Sequence, residues 1–77
     1  MTQEEYERKR KMRIVCCSKY WLDYSKIRAY CVRKYPNRIN HYQIAYNHEN
    51  EPRYYFFYNL TGKEYDDVIE YANNENI

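Results

Sequence analysis

Residues 60–72, LTGKEYDDVIEYA, are where independent local signals agree most closely. Thr61 and Glu64 have the S/T-x-x-E spacing of a capping box: the Thr61 hydroxyl can accept from the Glu64 amide, and the Glu64 carboxylate from the Thr61 amide. Leu60 and Tyr65 occupy the two positions of a hydrophobic staple. Glu64, Asp66 and Asp67 put negative charge at the end of a helix where the macrodipole favours it. Tyr65, Val68, Ile69 and Ala72 then follow the i, i+3, i+4, i+7 rhythm of one buried stripe. This pattern predicts a short amphipathic helix that must dock on an apolar platform. Ile69, on the stripe, is expected to matter for stability; Asp67 lies off it, and its removal is expected to cost little.

The platform stands just before the helix. Residues 53–59 read as a strand, with Tyr54, Phe56, Tyr58 and Leu60 on one face and Tyr55 and Phe57 on the other. Residues 39–46 roughly alternate, with Tyr42, Ile44 and Tyr46 together, and the polar stretch 47–52 turns one strand into the other. A hairpin alone is marginal in water and needs helices on one face. Upstream, Thr2 and Glu5 make a second capping-box pattern with a helix starting at Gln3, supported by the pairs Glu4–Arg8, Glu5–Lys9 and Glu7–Lys11. Ile14, Cys17, Trp21, Tyr24, Cys31 and Tyr35 continue close to helical spacing, and no Gly or Pro intervenes before Pro36. A break is expected at 22–25, with Asp23 or Ser25 as a new cap. Residues 13–17 are also β-prone, so a short strand there is the alternative. The expected architecture is one α+β domain over residues 1–77, helices on a hairpin in the order α-α-β-β-α, ending in a frayed Asn-rich tail at 73–77.

Composition narrows the function classes. A chain of 77 residues has a thin core. No window approaches the ~18 apolar residues of a membrane span, and the polar, then basic, start lacks the apolar centre of a signal peptide; a cytoplasmic location, with no membrane partner, is expected. Three cysteines, an odd number, fit reduced thiols better than a secreted disulfide framework. The net charge of +2 conceals a division: residues 1–38 carry eleven Lys/Arg against four Asp/Glu, and residues 39–77 carry two against seven. Either the first half meets an acidic partner or the halves pair with each other.

Three sets of residues could carry chemistry. Cys17 and Cys31 with His41 and His48 are a candidate zinc set; adjacent Cys16 and Cys17 cannot both face one ion, and the spacing misses the usual C-x₂₋₄-C pair. An unbroken helix would hold Cys17 and Cys31 ~21 Å apart, whereas a break near Asp23 would let them converge. Arg8, Lys9, Arg10, Lys11 and Arg13 are candidate nucleic-acid contacts, with aromatic residues further on that could stack on bases. No nucleophile elbow, phosphate loop or H-E-x-x-H occurs, so an enzyme is not expected. Tyrosine is the third signal. Twelve Tyr exceed what a thin core absorbs, because each buried hydroxyl needs a partner. Tyr54, Tyr55, Phe57 and Tyr58, flanked by Asp66 and Asp67, are therefore the expected protein-binding residues.

A single small domain, rich in Tyr and Asn, divided in charge and free of motifs, resembles the accessory proteins of phages and mobile elements, and among them the anti-CRISPR proteins. The likeness is one of size and style. It implies an inhibitor that occludes a nucleoprotein effector, such as a CRISPR nuclease, with weak contact to free nucleic acid.

Overall fold

The aromatic run before the capping box is the middle strand of the sheet. The computed structural model describes residues 2–77 and contains α1 (Gln3–Arg8), β1 (Lys11–Ser18), α2 (Trp21–Lys34), β2 (Asn40–Tyr46), β3 (Pro52–Leu60) and α3 (Gly62–Asn74). The strands form one antiparallel sheet in the order β1-β3-β2. The period-2 reading of β3 holds: Phe56, Tyr58 and Leu60 are fully buried on the inner face, and Tyr55 and Phe57 are half-buried on the outer one. Tyr24, Ile27 and Cys31 of α2 and Val68 and Ala72 of α3 close the core over that inner face. No helix among the described residues is long and apolar enough to cross a membrane.

The α+β expectation stands, with one element recast. The first helix ends at Arg8, and the segment expected to continue as helix is β1, the alternative that its β-prone residues allowed. Pairing decides this: as a strand, β1 satisfies the second edge of β3 from Lys11↔Leu60 to Ser18↔Tyr54. A bulge between Ile14 and Cys16 turns both Val15 and Cys16 inward, so two adjacent residues are buried. Asp23 and Ser25 do not cap α2. Its N-cap is Tyr20, and Ser18 bridges the junction, accepting from the Tyr20 amide at 3.1 Å and donating to Asp23 Oδ2 at 2.6 Å.

The capping box of α3 forms as read, with Glu64 N to Thr61 Oγ1 at 3.1 Å and Thr61 N to Glu64 Oε1 at 2.9 Å. Its buried stripe is centred on Val68 and Ala72, while Ile69 and Tyr65 are half-buried. The end of the chain turns back on α3. Asn76 adopts a left-handed φ of 59°, the Ile77 amide donates to Ala72 O at 2.9 Å and the Asn76 amide to Asn73 O at 3.1 Å. Those two bonds make a Schellman closure, and Ile77 packs back on the core.

Candidate protein-binding face

All buried side chains of the sheet point toward the helices, so its other face is open. The register places Met12 beside Asn59, then Ile14, Phe57 and His41 in one row and Cys17, Tyr55 and Gln43 in the next. Met12 is 40% exposed, Ile14 49% and the neighbouring Ile39 71%; Phe57 and Tyr55 are half-buried between the strands that flank them. The Phe57 ring lies 5.4 Å from His41. Cys17 and Tyr55 are cross-strand neighbours, and the adjacent thiol raises the pKa of the Tyr55 hydroxyl. The result is a mostly uncharged surface on regular backbone, three rows deep.

Of the residues expected to bind a partner, only Tyr55 and Phe57 lie here. Tyr58 is 1% exposed, with its hydroxyl donating to Tyr35 O, and belongs to the core. Tyr54 is on the inner face, half-buried with its ring 5.5 Å from Trp21. Asp67 is drawn into the fold, and Asp66, though exposed, is tied to α1. Asp66 Oδ1 accepts from the Tyr6 hydroxyl at 2.9 Å. Asp67 Oδ2 accepts from Tyr30 at 2.9 Å, Tyr35 at 2.8 Å and Lys34 at 2.8 Å. Burial pushes the Asp67 carboxyl up, but these three donors outweigh it and hold its pKa below the ordinary value. The same contacts raise the Lys34 pKa, and burial together with Asp67 raises that of Tyr35.

This hub explains how so small a core accommodates so many tyrosines. The hydroxyls of Tyr30 and Tyr35 reach the Asp67 carboxylate and that of Tyr58 a backbone carbonyl, while Tyr20, Tyr42 and Tyr46 stay exposed, and Tyr30 stacks on Tyr71 with centroids 4.0 Å apart. It also resolves the charge division: Lys34–Asp67 and the two-pronged Arg38–Glu64 pair join the basic half to the acidic half. Arg38 holds the Glu64 carboxyl below its usual range.

The basic run separates into two parts. Arg13 is structural: its Nε donates to Leu60 O at 3.0 Å and its guanidinium lies near the Tyr6 and Tyr65 rings. Arg8 pairs with Glu4 on α1 at 2.7 Å. Lys9, Arg10 and Lys11 are exposed and form no ion pair among the described residues. They lead into Met12, at one end of the open face.

The expected zinc ligands are not brought together. Cys17 is exposed on the outer face of β1, whereas Cys31 is fully buried on α2, across the sheet. His41 is on the outer face of β2 and His48 in the β2–β3 turn. No group of three or more His, Cys, Asp or Glu converges among the described residues. Burial pushes the Cys31 thiol up to about 12 and the Cys16 thiol up to about 11, away from the thiolate that metal binding or nucleophilic attack requires.

Sequence reading missed Met12 and Ile14 as surface residues because it carried the first helix through them. The alternation Lys11-Met12-Arg13-Ile14 was the available signal of a strand with one apolar face. Comparison with family models, curated proteins and solved structures gives no match.

Proposed function

We propose that this protein is a non-enzymatic binding module that inhibits by occlusion, setting its open sheet face on a nucleoprotein effector and blocking the path of the nucleic acid. The observation that carries this reading is the outer face itself, where no element among the described residues covers Met12, Ile14, Ile39, Tyr55 and Phe57. Exposed apolar patches of this kind mark interaction sites, and aromatic anchors held on a rigid sheet lose little entropy on binding. Lys9, Arg10 and Lys11 at the rim give a positive field that steers association with an acidic or nucleic-acid-bearing partner. Direct nucleic-acid binding through Arg8, Lys9, Arg10 and Lys11 is the second reading, favoured because the last three form no ion pair among the described residues.

Capture from a nuclease-treated host lysate at about 0.5 M salt, where screened charges contribute little, separates the two. Occlusion predicts a retained protein effector whose cleavage or binding of nucleic acid falls as the module is added, and whose capture is lost in Ile14→Glu or Phe57→Ala. Binding of purified duplex or single strands at low salt, lost as salt rises and indifferent to both substitutions, with no protein captured from the lysate, would assign the function to the basic run.

A further inference from the structure

The two edges of the sheet are built differently. β1 carries Lys11 and Arg13 and is bent by its bulge, devices that discourage another strand from adding. β2 has none of them. Its seven residues, Asn-His-Tyr-Gln-Ile-Ala-Tyr, contain no Lys, Arg, Asp, Glu, Pro or Gly in a chain that is 31% charged, and its register with β3 is unbroken from Asn40 to Tyr46. The hydrogen-bond phase of this edge is set at both ends. The Asn59 amide donates to Ile39 O at 3.1 Å and the Asn47 amide to Glu51 O at 3.2 Å. Alternation along an antiparallel ladder then directs the backbone groups of His41, Gln43 and Ala45 to β3. The N–H and C=O groups of Asn40, Tyr42, Ile44 and Tyr46 face away from the sheet. The side chains of these four lie on the inner face, where α2 packs over β1 and β3, and Tyr42, Ile44 and Tyr46 remain exposed.

We infer that β2 is the seat of a second copy of this chain, added antiparallel about a two-fold axis at Gln43 to make one continuous six-stranded sheet. The strand is complementary to itself in that register. Gln43 meets Gln43 of the other copy at the axis, Tyr42 meets Ile44, and Asn40 meets Tyr46 in hydrogen-bonded pairs that use every outward backbone group. His41 meets Ala45 on the outer face. An aromatic residue opposite a β-branched one is a favourable cross-strand pair, and no like charges are brought together. The ledge of Tyr42 with Trp21, whose rings lie 6.0 Å apart, adjoins the same ledge of the second copy across the axis and is covered by it. The edge is distinct from the outer face, so self-association leaves that face free and doubles it on one side of the extended sheet.

Sedimentation or light scattering of the full chain across a concentration series should show a monomer–dimer equilibrium. Ile44→Pro removes only an outward N–H, so no bond to β3 is lost and the fold survives; Ile44→Lys adds charge close to the axis. Each should abolish the dimer while circular dichroism shows a folded protein, and Ile14→Glu on the outer face should leave the dimer intact. Gln43→Cys gives an independent reading in a Cys17→Ser background. Residues facing at a non-hydrogen-bonded antiparallel site have Cα atoms about 4.5 Å apart, within disulfide reach. Oxidised glutathione, itself reduced in the exchange, should therefore link two copies covalently. A chain that stays monomeric to millimolar concentration with no Gln43→Cys cross-link overturns the inference. So does a dimer that persists in both folded Ile44 variants.

Discussion

Replacing Asp67 by Ala should cost far more than its place off the apolar stripe of α3 suggests. One carboxylate oxygen receives the Tyr30 and Tyr35 hydroxyls and the Lys34 ammonium, joining α3 to α2 and its C-terminal cap. Hydrogen bonds to a charged acceptor are worth about 1.5–3 kcal/mol when buried. The Asp67 side chain is 32% exposed and Lys34 is 47% exposed, so we assign about 1 kcal/mol to each tyrosine bond and leave the solvent-screened lysine pair out of the sum. The total is about 2 kcal/mol, which for a domain this small lowers Tm by about 8–16 °C. The pH dependence has a defined sign. The folded pKa of Asp67 lies below its unfolded value of about 3.9, so its contribution is complete above that value and is lost as pH falls through the folded pKa. Thermal melts of parent and Asp67→Ala should differ by the same amount at pH 7 and pH 5, and the difference should narrow below about pH 4 as Asp67 is protonated. Glu64 titrates in the same direction in both proteins and cancels from the difference. A Tm for Asp67→Ala within about 2 °C of the parent at pH 7 would refute the hub as a source of stability.

Val68→Ala should destabilise by about 1.5–3 kcal/mol, because Val68 is fully buried, and Ile69→Ala should cost less despite losing a larger side chain; denaturant melts that reverse this order would misplace the stripe. Gly62→Ala should undock α1, since a Cβ at that position would stand 2.3 Å from the Tyr6 ring; hydrogen exchange should then quicken at residues 3–8 and proteolysis begin there, with little change in the sheet. Of the three cysteines, Cys17 alone should react promptly with a maleimide in the native protein, while Cys16 and Cys31 wait for unfolding. Prompt labelling of Cys31 would contradict its burial.

What residues decide through near neighbours is legible in the sequence itself. The Thr61–Glu64 cap, the alternation that buries Phe56, Tyr58 and Leu60 together, and the 47–52 turn each depend on groups a few positions apart, so the chain encodes them locally. The segment 11–18 is not decidable in that way. Its spacing suits a helix and its side chains suit a strand, and the choice rests on a partner 36 to 49 residues away: the unsatisfied edge of β3. The fate of the tyrosines and the acidic residues likewise depends on contact between distant segments. Tyr30, Lys34 and Tyr35 converge on Asp67 only when α2 and α3 are packed side by side, which turns an apparently free acidic face into an internal joint. The open face arises from the same cause. Layering sends every helix to one side of the sheet, and Ile14 and Phe57, which sequence spacing alone does not associate, become neighbours on the other.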